Sequence, residues 1–246
     1  MGSLSGKVAI VTGAARGIGR AIAERLAQDE ASVVVNYAHS ADKAQAIVAS
    51  IENRGGKALA VQADMSQVAD VRYLFQETVA YFGRLDILVN NAGIGKFTPL
   101  AEVTEEEFDT ILALNTRGVC FALQEAARRM ADGGRIINIS SSITVSAFVG
   151  TAVTAGSKAA VEQFTLAAAK ELGKRGITAN TVLPGATGTE GFDQTAPPEM
   201  KGKVAHMSPL GRMGQPKDIA DVIAFLASEQ ARWLTGQHIR ATGGLA

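Results

Sequence analysis

Two stretches of the sequence hold residue types and spacings that can do chemistry. The first is Thr12-Gly13-Ala14-Ala15-Arg16-Gly17-Ile18-Gly19, which follows a short apolar run and opens a helical pattern. Glycines in such a turn let the backbone wrap a phosphate. Gly13 permits the tight turn, Gly17 lets the chain approach a pyrophosphate, and Gly19 lets the helix pack close to the strand. The helix N-terminus then offers free N–H groups and a positive dipole end to the anion. The second stretch is Ser140-Ser141-Ser142, ending the apolar run Ile136-Ile137-Asn138-Ile139, with Thr154 and Lys158 downstream. Thr154 and Lys158 are four apart, so on a helix they share one face. Hydroxyl and ammonium donors suit an oxygen that gains negative charge, as a carbonyl oxygen does when hydride adds to its carbon. That reaction also needs a proton. A threonine hydroxyl is a far weaker acid than a phenol, whose reference pKa is about 10.

The end of the second apolar run decides which dinucleotide the turn suits. A carboxylate there would bind a ribose 2′-hydroxyl and repel a 2′-phosphate. The chain instead reads Asn36-Tyr37-Ala38-His39-Ser40, with no carboxylate until Asp42. Arg16 sits inside the glycine turn, where a guanidinium can fork onto a phosphate. Both observations favour NADP(H) over NAD(H), with Asn36, Tyr37, Ala38 and Ser40 at the adenosine end.

From Lys7 to Gly244 the chain resembles the short-chain dehydrogenase/reductases. The resemblance rests on the Gly-x-x-x-Gly-x-Gly turn with its preceding threonine, on Asn90-Asn91-Ala92-Gly93, and on the frame of Ser141 and Lys158. It implies a tetrad of asparagine, serine, tyrosine and lysine. Asn115 matches the asparagine, which bends its helix locally and helps hold a water leading to the lysine. Ser141 would donate to the substrate carbonyl, and Lys158 would bind the nicotinamide ribose and lower the tyrosine's pKa. The tyrosine is expected thirteen residues after Ser141, and Thr154 stands there; the only tyrosines are Tyr37, Tyr73 and Tyr81. The neighbourhood also departs from the family pattern: Thr151 lies one turn earlier and no proline precedes the slot. The resemblance further implies cofactor contacts from Asp64-Met65 to the adenine edge. Asn91, Ala92 and Gly93 would line the adenosine side. Pro184, Gly185, Thr187 and Thr189 would contact the carboxamide and phosphates. The resemblance also implies a homotetramer, common among relatives of this length, paired through helices near Thr104–Arg129 and Thr154–Lys174 and through the C-terminal strand.

The elements that must position these residues follow from the hydrophobic pattern. Short runs at Val8–Val11, Ser32–Asn36, Ala58–Gln62, Ile87–Asn90, Ile136–Ser140, Thr178–Leu183 and Gln237–Ala241 read as strands, mostly continuous rather than alternating, as burial on both faces requires. Helical patterns lie between them, at Arg20–Gln28, Ser40–Asn53, Gln67–Phe82, Thr104–Arg129 and Thr154–Lys174. Gly55-Gly56 and Gly83 sit where left-handed caps are wanted, and Thr104 with Glu107 reads as a capping box. The alternation predicts an α/β fold, a single Rossmann-type domain over 1–246 with a doubly wound parallel sheet of about seven strands and helices on both faces. The segment 185–209 holds three of the six prolines and little periodicity, and reads as a loop covering a site.

Bulk properties exclude other classes. Twenty-four basic and 24 acidic residues cancel, so no nucleic-acid or membrane partner is expected. Cys120 is the single cysteine, which forbids an intrachain disulfide and suits a reducing, cytoplasmic setting. His39, His206 and His238 are scattered, and no metal site is expected. The expected partner is a small carbonyl or alcohol substrate, apolar or aromatic, with Phe97, Val145, Phe148, Phe192 and Met207 as candidate contacts. Three readings stay open: an NADP(H)-dependent carbonyl reductase impaired at Thr154, a nucleotide-binding pseudoenzyme, or an altered enzyme that uses the space at Thr154 with Lys158 as its polar anchor.

Overall fold

A computed structural model of the chain describes residues 2–190 and 205–246; Phe192 and most of the loop expected at 185–209 lie outside these described residues. Seven strands form one parallel sheet in the order β3-β2-β1-β4-β5-β6-β7. They are β1 (Val8–Val11), β2 (Ser32–Tyr37), β3 (Ala58–Gln62), β4 (Ile87–Asn90), β5 (Arg135–Ile139), β6 (Thr178–Pro184) and β7 (His238–Ala241). Strand residues alternate between two apolar layers. Ala9, Val11, Val33 and Val35 pack on one face with Ile22 and Leu26 of α1 (Gly17–Gln28), Ile47 and Ile51 of α2 (Ala41–Glu52), and Ile219 and Ile223 of α7 (Pro216–Ala227). Ile10, Val34 and Leu88 point the other way, against Leu74 and Phe75 of α3 (Val68–Phe82), Leu123 of α5 (Val119–Arg129), and Val161 and Leu172 of α6 (Ala152–Leu172). Strands covered on both faces must be apolar at nearly every position, which is why β1, β2 and β4 read as continuous runs.

The strand order reverses between β1 and β4, because β2 and β3 lie to one side and β5 onward to the other. In such sheets a crevice opens beyond the carboxyl ends of the strands at the reversal. The turns after β1, β4 and β5 converge there.

Several expected boundaries move. Helix α1 begins at Gly17 rather than Arg20, α6 begins at Ala152 rather than Thr154, and β5 begins at Arg135 and ends at Ile139. The single helix expected over Thr104–Arg129 is α4 (Glu105–Leu112), a π-helical turn (Ala113–Gly118), and α5. Thr104 does accept from the Glu107 N–H at 3.1 Å, but the Glu107 carboxylate takes the Thr98 hydroxyl at 2.9 Å instead of completing the box. Gly55 and Gly83 adopt left-handed φ of 83° and 78°, whereas Gly56 does not. No helix among the described residues is long and apolar enough to cross a membrane.

Candidate active site

A cleft of about 750 Å³ runs along the carboxyl ends of the strands. At one end lies the glycine turn. Gly13 and Gly17 have φ of 61° and 55°, a region open to glycine and costly for other residues. A Cβ on Gly19 would fall 2.5 Å from Asn91 Nδ2 and closer still to the Gly13 carbonyl, so only glycine lets α1 approach this near. Thr12 and Asn91 lock the turn in place. Asn91 Nδ2 donates to the Thr12 carbonyl at 2.9 Å, and Thr12 Oγ1 accepts the N–H groups of Asn91 and Ala92, each at 2.9 Å. Asn36 is buried, and its side chain braces the turn from below. Its Oδ1 accepts from Gly13 N at 3.1 Å and its Nδ2 donates to the Ala63 carbonyl at 3.0 Å. No side chain caps the N-terminus of α1, so its first N–H groups remain available to an anion. Arg16 stands exposed at that N-cap position. A turn this constrained, with open N–H groups and no capping side chain, fits a dinucleotide pyrophosphate.

Tyr37, Ala38, His39, Ser40, Asp64 and Met65 line the cleft past the turn. Asp64 Oδ1 accepts the Ser66 N–H at 2.9 Å, and the Asp64 N–H donates to Asp70 at 2.8 Å, which fixes this corner ahead of α3. Lys43 of α2 pairs with Glu190 at 2.8 Å across the mouth. The hydrogen bond from Lys43 is the main reason that the Glu190 carboxyl is held below its ordinary pKa, with smaller help from Arg20 and Arg16.

At the other end the cleft meets Ser141, Thr154 and Lys158. Lys158 is 7% exposed, and its ammonium donates to the Ile139 carbonyl at 2.8 Å. Burial pushes its pKa down from 10.5 to about 8. An ammonium carries three donors, so Lys158 keeps hydrogen-bonding capacity toward the cleft. A Cβ on Gly93 would sit 3.0 Å from Lys158 Nζ, which explains a glycine on that wall. Ser141 caps the short 3₁₀ turn Ser142–Thr144; its Oγ accepts only a long bond, 3.4 Å, from Ile143 N, and its own proton is uncommitted among the described residues. Beneath it, Glu162 on α6 accepts the Ser140 hydroxyl at 2.6 Å and the Thr144 hydroxyl at 2.7 Å, pinning both sides of the serine run.

Thr154 is not aimed at the cleft as a proton donor. Its Oγ1 donates to the Lys96 carbonyl at 2.8 Å and accepts the Lys96 N–H at 3.2 Å. The hydroxyl is therefore used in both senses to tie the segment after β4 onto α6. Asn115 makes a parallel clamp from the π-helical turn. Its Oδ1 accepts from Ile94 N at 2.9 Å, and its Nδ2 donates to the Ile94 carbonyl at 2.8 Å and to Ser157 Oγ at 3.0 Å. The extra residue of a π turn breaks the regular helix ladder, and the fully buried Asn115 sits inside it.

The cleft thus brings together Gly13, Arg16, Gly17, Ile18, Gly19, Asn36, Tyr37, Ala38, Ser40, Asp64, Met65, Asn91, Ala92, Gly93, Ser141, Thr154, Lys158 and Thr189. Asn115 lies behind its wall, and Pro184, Gly185 and Thr187 lie beside it rather than along it. Thr187 is bridged to Gly214, and Gly185 packs so closely on Thr242 that a Cβ would meet the Thr242 Cα at 2.8 Å. Of the expected apolar contacts, Phe97 lines the cleft and Phe148 stacks beside it, ring centroids 5.5 Å apart, while Val145 and Met207 are exposed outside the lining. Sequence reasoning missed Glu162, although its position one turn beyond Lys158 on the same face was a usable signal. It also missed the Thr154–Lys96 tie, for which no local pattern exists. No group of metal-ligating side chains occurs among the described residues.

The chain is similar to known proteins along nearly its whole length. Residues 13–246 match the family model described as enoyl-(acyl carrier protein) reductase. A short chain dehydrogenase/reductase of Aspergillus novofumigatus is 45% identical over 257 residues, covering 100% of this chain and 97% of the relative. A hydroxynaphthalene reductase-like protein of Metarhizium brunneum is 45% identical over 255 residues, covering 98% and 96%. The crystal structure of the landomycin C-6 ketoreductase LanV with bound NADP and rabelomycin superposes with a TM-score of 0.91 at 44% identity, covering 99% of this chain and 98% of that one.

Proposed function

The chain belongs to the short-chain dehydrogenase/reductase family, and on that premise we propose that it is an NADP(H)-dependent reductase of aromatic ketones whose proton-transfer step is slowed by Thr154. The single observation that carries this reading is the cleft itself, which joins an open helix N-terminus at a glycine turn to Ser141 and the buried Lys158. NADP(H) supplies hydride when bound. Arg16, exposed at the N-cap and free of any carboxylate on the end of β2, would hold the 2′-phosphate, and the N–H groups of Gly17 to Gly19 the pyrophosphate. Lys158 would hold the ribose of the nicotinamide half, and Ser141 would donate to the ketone oxygen as negative charge grows there. Asp64 and Met65 would contact the adenine, and Gly93 leaves room beside the Lys158 ammonium.

Thr154 weakens one step only. Its hydroxyl is spent on Lys96, and it is too weak an acid to protonate the product oxygen. Loss of a positioned general acid costs about 10²–10⁴-fold. Retention of Ser141, Lys158 and Asn115 with their hydrogen bonds favours an impaired or altered reductase over a pseudoenzyme. The aromatic substrate class is supported by exposed Phe97 and Phe148 at the carbonyl end, and by similarity to a hydroxynaphthalene reductase-like protein and to a ketoreductase solved with rabelomycin. The same reading includes a homotetramer formed through α4, α5, α6 and β7, whose mass light scattering would test. The enzymatic test is NADPH oxidation with a panel of aryl ketones for the parent and for Thr154→Tyr. We expect slow turnover by the parent and a gain of about 10²-fold or more in the variant. Equal, negligible rates in both, with NADPH bound, would refute the reductase reading.

A further inference from the structure

Among the described residues, the carbonyl end of the cleft presents Ser141, Thr154 and Lys158, with no carboxyl, imidazole or phenol beside them. Thr154 donates to and accepts from the Lys96 backbone, and Lys158 is bonded to the Ile139 carbonyl. Among the described residues, the carboxylates, the histidine and the tyrosine that line the cleft, Asp64, Glu190, His39 and Tyr37, belong to its adenosine end. Where a long aromatic acid would project, the Thr154 side chain stops at Cβ substituents, and its Cγ2 comes within 3.6 Å of a Cβ position on Gly95. The wall next to this space is aromatic and uncovered. Phe97 is 62% exposed and Phe148 57% exposed, with their rings tilted by 35°. The two rings stand on segments stitched together: the Thr98 N–H donates to the Gly150 carbonyl at 3.1 Å, and a Cβ on Gly150, whose φ is 87°, would fall 3.0 Å from the Phe97 carbonyl carbon. A fixed pair of exposed rings beside a space lacking its acid suits a planar ligand that brings an acid of its own.

We propose that this chain is a substrate-assisted reductase, selective for planar aryl ketones that carry a phenolic hydroxyl next to the carbonyl, with that hydroxyl taking the proton-donating role Thr154 cannot fill. The proposal rests on the reductase reading above. Hydride from NADPH forms the new C–H bond at the carbonyl carbon, and the C=O π pair moves to oxygen, which Ser141 holds. The neighbouring phenolic O–H breaks and gives its proton to that oxygen, leaving a phenolate that water reprotonates. The net change is ketone, NADPH and a proton to alcohol and NADP⁺. A phenol reaches the pKa range of about 10 that a threonine does not, and an acid built into the substrate is already positioned.

The test compares 8-hydroxy-1-tetralone, 8-methoxy-1-tetralone and 1-tetralone as substrates of the parent and of Thr154→Tyr. For the parent, kcat for the hydroxy ketone is expected to exceed the other two by about 10²-fold. Calorimetric titration of the three ketones into NADP⁺-loaded protein should give affinities within a few-fold, which places the preference in the chemical step. In Thr154→Tyr the preference should collapse, because the protein then supplies the acid; this variant also corrects for intrinsic reactivity. A parent that reduces all three ketones at similar rates, or none while the variant reduces all, overturns the proposal and leaves the reductase reading standing. Failure of both proteins on every ketone, with NADPH bound, removes the reductase reading and the proposal with it.

Discussion

Replacing Lys158 by methionine tests whether the cleft stores an unfavourable charge. The ammonium is 7% exposed, has the Ile139 carbonyl as its protein acceptor, and titrates near 8 instead of 10.5 because burial disfavours its charged form. A lowered folded pKa means that the unfolded chain binds the proton more tightly. Below about pH 8 both states are charged, and the folded state bears the full cost, about 3 kcal/mol at 1.36 kcal/mol per tenfold difference in proton affinity. As pH rises from the folded value toward the unfolded one, the folded state releases its proton first and the cost disappears. Parent stability should therefore gain about 2 kcal/mol between about pH 7 and about pH 9.5 from this group. Lys158→Met lacks the titration but keeps every other ionisable residue. It also leaves the Ile139 carbonyl without this donor, a penalty of about 1 kcal/mol that does not vary with pH. The assay is urea unfolding of both proteins across that range. The difference in unfolding free energy, variant minus parent, should fall by about 2 kcal/mol with rising pH. A difference that stays flat would refute the buried-ammonium argument, whatever its sign.

Other outcomes follow from single contacts. Gly19→Ala places a methyl 2.5 Å from Asn91 Nδ2, so it should abolish measurable NADPH binding by fluorescence titration and lower the melting temperature. Thr154→Val removes both bonds to Lys96, and should cost about 1–2 kcal/mol in thermal unfolding with faster amide exchange at Lys96. Arg16→Ala should weaken NADPH about tenfold or more while leaving NADH nearly unchanged, since only the 2′-phosphate is lost as a partner; equal losses for both would remove Arg16 from cofactor choice. Glu190→Gln takes a negative charge from the mouth beside Lys43 and Arg16, and should lower the KM for NADPH several-fold at low salt and less at high salt.

Much of the molecule is legible in the sequence because its determinants are local. Continuous valine and isoleucine runs can only be strands covered on both faces, and seven of them alternating with helical patterns leave a doubly wound parallel sheet as the economical packing. The glycine turn is legible for the same reason: left-handed φ at Gly13 and Gly17 and the missing Cβ of Gly19 are properties of single residues. Thr154 is legible as a substitution, since its spacing from Ser141 and Lys158 is counted along one chain. Tertiary structure alone decides what that threonine does. Its hydroxyl meets the Lys96 backbone across 58 residues of separation, and no periodicity encodes a contact made by folding two distant turns together. The same holds for Asn115, whose role depends on a π turn that interrupts a pattern otherwise read as one helix, and for Lys158, whose lowered pKa exists only once the sheet and α6 exclude water. Residue types and spacings determine which groups arrive at the carboxyl edge of the sheet. Long-range packing determines which of them still have a proton, a lone pair or a charge left to use.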